Sequence, residues 1–406
     1  MIPSQSIPVP DVAPRLFAER IAILFCAPMM VNGIALPFFP VWLSTLSMND
    51  FEIGIVLSLP MFVRVITAPI AGIIADRLGE RVVVLIWSAF LSLLTALALF
   101  VSTSFWPVLI IYTLQAAVYG PFVPIAEAIA LSGVRRWSFD YGHMRLWGSL
   151  AFIVSTMIGG YLIGVFGSVM VRPAMVAGFV LMLAVALVAP RIGRPRRPSA
   201  LSTLASPPPS SLRKLDLQLM LIGTCMVHGS HAMLFAFSAL YWQNLGYSGV
   251  MIGVLWSAGV FAEVLFFISA RWLRRHINLW SMITFGCAVA VVRWIIFPMD
   301  LGFTGYFLLQ CLHAFTYAMI HIGIQGKLVE RISESQEGAA QGIYFFYIGI
   351  FTAIFTLLSG YVFNRYGVHG FYLMSVFALI GLLLVVAGRV LQPQSEVLGG
   401  NTNEAS

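Results

Sequence analysis

The sequence predicts an all-α polytopic membrane protein, with twelve transmembrane helices in two six-helix bundles. Three observations carry that prediction. Of the 406 residues, 60% are hydrophobic and only 10% charged, more apolar surface than one soluble core can hide. Apolar stretches of membrane-spanning length recur from end to end. The two halves of the chain also echo each other at an offset near 200 residues.

The spans are expected at 17–39, 52–75, 82–103, 106–131, 145–166, 170–190, 217–243, 250–272, 279–298, 302–324, 338–363 and 369–391. Residues 191–216 (RIGRPRRPSALSTLASPPPSSLRKLD) break the pattern. Rich in Pro, Ser and Arg and without periodicity, they read as a flexible cytoplasmic linker. The expected units are therefore a first bundle over 1–190, the linker, a second bundle over 217–392, and a disordered cytoplasmic tail over 393–406. The N-terminal segment lacks a basic region before an apolar stretch, so the first helix is expected to act as the insertion signal.

Basic residues orient the chain. Arg15, Arg20, Arg77, Arg81, Arg135, Arg136, the linker arginines, Arg271, Arg274, Arg275, Lys327, Arg331 and Arg389 fall on one side, and only Arg172 and Arg365 on the other. The positive-inside rule makes both termini cytoplasmic. The net charge of +7 is thus a topology signal, and no nucleic-acid partner is expected; the bilayer is. Cys26, Cys225, Cys287 and Cys311 lie in apolar runs without metal-ligand or disulfide spacing and read as small core residues.

Within the spans, the hairpin Tyr119–Ser149 stands out. Glu127 is expected about one and a half turns from the inner end of its helix, and Arg145 near the start of the return helix, across a polar turn carrying Arg135 and Arg136. Charges at membrane depth are costly and mark substrate or proton pathways. A static ion pair locking two helices is the other reading, and the two are compatible. The further ionisable groups at depth are Arg64, Glu263, Arg293, His228, His231, His313 and His321. Arg64 matches Glu263 under the internal repeat, so both are expected to face a central cavity. An arginine there can bind a carboxylate bidentately. Trp42, Tyr119, Phe122, Trp147, Tyr241 and Trp242 are candidates to pack an aromatic cargo, against the more common role of membrane aromatics in core or interface. His228 and His231 share a helix face, but no convergent acidic partner completes a metal site, and no metal is expected.

The repeat itself pairs Glu52-Ile53-Gly54-Ile55 with Met251-Ile252-Gly253-Val254, Leu114-Gln115-Ala116 with Leu312-His313-Ala314, and Gly160-Tyr161 with Gly360-Tyr361. Both halves enter from the same side, as in a parallel repeat. Pro28, Pro37, Pro40, Pro60, Pro69, Pro121 and Pro124 fall within spans one, two and four; they are expected to interrupt those helices, either as fixed kinks or as bends around a cavity.

Residues 72–81, Gly72-Ile73-Ile74-Ala75-Asp76-Arg77-Leu78-Gly79-Glu80-Arg81, resemble the loop signature of the major facilitator superfamily between spans two and three, with Glu80 in place of the usual arginine. The resemblance implies a conformational latch formed by Gly72, Asp76, Arg77, Gly79 and Arg81. Within that superfamily the string Glu127-Ala128, Arg135-Arg136, Phe139-Asp140-Tyr141-Gly142, Arg145 and Gly148 is similar to lactose permease-like proton symporters, where the glutamate and arginine hold the sugar. In the same way Phe152 corresponds to the family's sugar-stacking tryptophan, Glu263 to its substrate-side glutamate, Arg293 to its arginine in span nine and His313 to its histidine in span ten. Thr316 stands where the proton-carrying glutamate is expected and Gln310 where a lysine is. The string Tyr141–Ser149 and the histidines of span ten look more like the phenylpropionate permease subgroup, assigned to aromatic carboxylates.

The resemblance implies import of a small organic anion with protons by alternating access, in a bacterial inner membrane, by a monomer and with no cofactor beyond the proton gradient. Substrate contacts are expected from Arg145, Glu127, Phe152, Tyr119, Arg64 and Glu263. Proton coupling is expected from His313, Glu263, Glu127, Arg293 and His321, because histidine and desolvated carboxylates change charge at accessible pH. A sugar or nucleoside cargo, efflux, and a non-transporting sensor are the alternatives. A membrane enzyme is disfavoured, since neither a nucleophile elbow nor an H-E-x-x-H motif is present.

Overall fold

The computed structural model describes residues 12–78, 80–193, 210–332 and 337–392. Among them every regular element is helical. In the first half these are α1 (Phe17–Ser44), α2 (Asp50–Leu78), α3 (Arg81–Ala98), α4 (Phe105–Tyr119), α5 (Phe122–Trp137), α6 (Tyr141–Phe166) and α7 (Val171–Leu187). The second half comprises α8 (Leu215–Gly229), α9 (Ala232–Asn244), α10 (Gly249–His276), α11 (Leu279–Ile296), α12 (Gly302–Cys311), α13 (Ile320–Arg331), α14 (Glu337–Tyr366) and α15 (Phe371–Leu391). Among the described residues, eleven apolar helical stretches are long enough to cross a membrane. The last of them, Ala339–Leu391, contains both α14 and α15, so the stretches hold the twelve expected crossings. The protein is a multi-pass membrane protein.

Three crossings are built from two helices each. The chain steps at Gly120-Pro121 between α4 and α5, where proline withholds an N–H. It steps again at Ser230-His231 between α8 and α9. Here side chains take up the freed backbone groups: Ser230 Oγ donates to the Val227 carbonyl at 2.6 Å and accepts from Trp294 Nε1 at 2.8 Å. Between α12 and α13, residues Ala314–Met319 form a π-helical turn, a feature frequent at functional sites. The prolines of spans one and two behave differently from expectation, because α1 runs unbroken through Pro28, Pro37 and Pro40, and α2 through Pro60 and Pro69. Pro37 leaves the Gly33 carbonyl without its helical donor, and Thr156 Oγ1 of α6 donates to it at 2.8 Å.

The hairpin also differs from expectation. α5 extends to Trp137, so Glu127 lies nearly three turns from its end rather than one and a half. Arg135 and Arg136 occupy its last turn, not a connecting loop. That turn favours cations because of the helix dipole, and Arg136 Nη1 donates to the Ile192 carbonyl at 2.5 Å. Ile192 and Leu212 are buried, so both described ends of the linker are docked; its middle, like the tail beyond Gln392, lies outside the described residues.

Without a hydrophobic drive between helices in lipid, small residues govern close packing. The two halves meet through two such crossings. On one side α2 crosses α14: a Cβ on Gly54 would sit 2.6 Å from Gly360 Cα. On the other α6 crosses α10: a Cβ on Gly160 would sit 2.3 Å from the Gly249 carbonyl oxygen, and one on Gly253 3.0 Å from that of Thr156. Gly54 and Gly253 are repeat mates, as are Gly160 and Gly360, so the sequence repeat reappears as a pair of matching helix crossings. Both lie toward the end of the molecule where α2 and α10 begin.

Candidate functional site

The seam between the halves carries the charges picked out in the sequence. Arg145, in the second turn of α6, places Nε 3.9 Å from Glu127 Oε1 of α5. The two side chains are about one-third exposed, 32% and 37%, so this is a loose pair in a solvated cleft and worth little as a lock. Gly148, one turn on, leaves room for the guanidinium: a Cβ there would sit 2.8 Å from Arg145 Nη1. The guanidinium also lies over the Phe25 ring, 5.4 Å from its centroid. Across the seam it is close enough to Glu263 of α10 to interact with it electrostatically.

Glu263 leads into a buried network in the second half. His313 Nε2 lies 3.6 Å from Glu263 Oε1. Arg293 of α11 is 0% exposed; its Nη1 meets His313 Nδ1 at 3.2 Å and Thr316 Oγ1 at 3.0 Å, and its Nη2 donates to Gln310 Oε1 at 2.5 Å. A guanidinium only donates. His313 Nδ1 is therefore the acceptor, and in the neutral ring Nε2–H faces Glu263. His231 Nδ1 donates to the Val227 carbonyl at 3.1 Å, so its Nε2 accepts from Thr316 Oγ1 at 2.9 Å. The bonds run in one direction, from Arg293 through the Thr316 hydroxyl to His231. The π-helical turn sets Thr316 between those two partners. His228 lies against Tyr317, ring centroids 4.5 Å apart. His321 is separate, with Nδ1 3.2 Å from the Tyr344 hydroxyl, at the wall of a cavity of about 630 Å³ that Arg274, Arg275 and Gln325 also line.

A second cavity, of about 100 Å³, lies between α1, α2, α4 and α7, with Phe235 of α9 and Thr356 of α14 closing it from the other half. Arg64 and Tyr119 line it. Tyr119 Oη shares its proton between the Pro28 carbonyl at 3.0 Å and Asn32 Oδ1 at 2.9 Å. Asn32, Tyr112, Gln115, Phe179 and Phe235 also line it, and none of them stood out as a site residue in the sequence. For Gln115 a signal existed: it is the repeat mate of His313.

Other sequence candidates lie elsewhere. Phe152 is 7% exposed and packs within the first-half core, so it offers no open stacking face here. Trp42, Phe122 and Trp242 are buried, and Tyr241 Oη pairs with Tyr306 Oη at 2.9 Å. Trp147 is exposed. Of the latch residues, Gly72 lies in α2. Arg81 ties α3 to α5, donating from Nη1 to the Ala128 carbonyl at 3.1 Å and Ser132 Oγ at 3.0 Å. Gly79 and the side chains of Asp76 and Arg77 lie outside the described residues. Among the described residues no cluster of His, Cys, Asp or Glu could hold a metal ion.

Two helix bundles meeting around a polar, charge-bearing seam define a membrane carrier. The MFS_1 like family matches residues 24–374, and the chain belongs to it. It is 28% identical over 362 residues to a probable 3-phenylpropionic acid transporter of Escherichia coli (strain K12), spanning 87% of this chain and 93% of that protein. It is 23% identical over 365 residues to a maltose permease of Geobacillus stearothermophilus, spanning 87% and 90%. The crystal structure of the nucleoside transporter NupG superposes with a TM-score of 0.79 at 16% identity, over 92% of this chain and 98% of that one. The fold is the major facilitator fold, and the protein is a transporter of that kind.

Proposed function

We propose that this transporter imports a small organic anion, an aromatic carboxylate of phenylpropionate type, together with protons. The observation that carries the reading is a charge imbalance at membrane depth: among the described residues, Arg64, Arg145 and Arg293 are balanced there only by Glu127 and Glu263. Unbalanced charge there is costly, and an anionic cargo offsets it. The likeness to a probable 3-phenylpropionic acid transporter supports the same class. Arg64, Tyr119, Arg145, Glu127 and Glu263 are the proposed cargo contacts. Glu263, His313 and Glu127, with Arg293 beside them and His321 toward the larger cavity, are the proposed coupling groups. With both termini cytoplasmic, in a bacterial inner membrane, the glycine crossings lie at the outer end. The described state then faces inward, and alternating access consists of parting those crossings.

Neutral polar side chains in the smaller cavity (Asn32, Gln115 and Tyr119) also suit hydroxyl groups, which supports a sugar or nucleoside as the second reading, in line with the maltose and nucleoside relatives. Proteoliposomes with an internal pH dye separate the two. Labelled 3-phenylpropionate is expected to accumulate with internal acidification beyond that in protein-free liposomes. Uptake of maltose or a nucleoside instead, with no protein-dependent acid uptake, rejects the anion reading.

A further inference from the structure

We propose that the anionic group of the cargo is seated by Arg64 and Gln115 in the cavity between α2 and α4, rather than by Arg145. This rests on the organic-anion reading above and sharpens it to one site.

The three guanidiniums at membrane depth differ in what already occupies them. Arg293 is enclosed, with Gln310, Thr316 and His313 as acceptors and its cation 4.7 Å from the Trp294 ring centroid. Its Nε has no acceptor, but a residue 0% exposed offers a cargo no approach. Arg145 faces two carboxylates, Glu127 at 3.9 Å and Glu263 across the seam. An anion arriving there has to displace a carboxylate or meet it. Arg64 is exposed to the cavity, and among the described residues no carboxylate pairs with it. The groups that face it are neutral: Tyr112, Tyr119 and the backbone at Gly120, where a Cβ would sit 3.2 Å from Arg64 Cγ.

Gln115 is the second, independent observation. It is 3% exposed, lines the same cavity, and its Nε2 is buried without any acceptor. Buried amide donors are ordinarily paired, and the missing acceptor here is what a carboxylate supplies. A guanidinium binding bidentately plus one amide N–H puts three donors on a single carboxylate. The neighbouring hydroxyl of Tyr119 is already committed to Pro28 and Asn32, so it positions the wall and does not compete for the anion. Tyr112 is braced by stacking on Phe39 at 4.1 Å, and Phe179 meets the Tyr119 ring edge-on at 5.7 Å. These rings make an apolar collar around Arg64 and Gln115. A volume of about 100 Å³ holds roughly three waters. That suits the carboxylate head, with the aromatic body extending toward Phe235 and the seam. Because Phe235 and Thr356 come from the second half, a cargo seated here touches both bundles.

The test is equilibrium binding to the purified full-length protein, with 3-phenylpropionate and its neutral amide 3-phenylpropionamide as probes. Arg64→Gln is expected to weaken acid binding by on the order of 30-fold or more and to abolish the preference for acid over amide. Arg64→Lys, which keeps the charge but not the fork, is expected to fall between. Gln115→Leu is expected to cost the acid roughly five- to tenfold and the amide much less. On unaltered protein the acid is expected to protect Arg64 from phenylglyoxal, read by peptide mass spectrometry, which needs no variant to fold. Undiminished acid preference in Arg64→Gln, or protection of Arg145 and not Arg64, overturns this assignment while leaving anion transport intact. Unaltered protein that binds neither probe but binds maltose or a nucleoside overturns the assignment and the anion reading together.

Discussion

The two halves of this transporter share a repeat yet hold their charges in opposite ways. In the first half, Arg145 and Glu127 face each other loosely across a cleft and remain about one-third exposed. In the second, Arg293 is fully enclosed and both its terminal nitrogens are held by neutral acceptors, with His313 standing between it and Glu263. A half-solvated pair costs little to break. An enclosed guanidinium cannot lose partners without leaving buried polar groups unmet. Helices that correspond under the repeat thus supply one half whose charges are free to respond to a cargo and one whose hydrogen bonds are set in direction. On the proposed reading, the cargo's charge is met chiefly in the first half, while Glu127 and Glu263, one from each half, serve both cargo binding and coupling.

The largest effect is expected where the halves are alike. Valine at Gly54 or at Gly160 places side-chain atoms where the opposing backbone already lies, at 2.6 and 2.3 Å. Either substitution should part the halves at that end and reduce proteoliposome uptake to background. A cysteine introduced beside the crossing should then label faster with a polar maleimide. Normal uptake by both variants breaks the view that these crossings seal the molecule.

Next is the contrast between the buried and the open arginine, read as stability. Arg293→Met strands Gln310, Thr316 and His313 and should lower unfolding stability by about 1–3 kcal/mol. Arg145→Gln should change it by no more than about 1 kcal/mol. Thermal melts of both purified variants in one detergent give the comparison, and equal losses would erase the distinction between the halves.

Glu127→Gln should leave the melt within about 1 kcal/mol of the parent. Its mark is expected in uptake, which should lose part of its pH dependence while exchange of labelled for unlabelled cargo persists. Unchanged transport at every pH assigns Glu127 to structure alone. The smallest effect is expected at Phe152, enclosed in the first-half core. Phe152→Leu should cost less than about 1.5 kcal/mol and leave cargo affinity unaltered; an affinity loss would restore the stacking role that the family resemblance implies.

Much of this molecule was legible before any coordinates. Composition and apolar run length determine twelve crossings, because a bilayer admits few ways to satisfy backbone groups. The constant repeat offset determines that the halves correspond, and Gly54, Gly253, Gly160 and Gly360 turned out to mark the crossings between them. Glu127, Arg145, Glu263, Arg293 and His313 were identifiable because a charge at membrane depth is conspicuous. What only the tertiary structure decided is how each charge is compensated. Whether Arg293 is sealed, and whether Arg64 has a carboxylate partner among the described residues, depends on which side chains other helices bring within hydrogen-bond reach, and spacing along one helix carries no such information. For Gln115 the repeat supplies a pointer, as the mate of His313, but the role of its amide follows only from its donor being buried and unmet. Helix breaks divided likewise. The prolines of α1 and α2 left those helices intact, and in α1 Thr156 takes up a freed carbonyl, whereas the steps at Ser230 and at Ala314–Met319 occur without a proline, with Ser230 Oγ on the Val227 carbonyl and His228 Nε2 at the Tyr317 carbonyl.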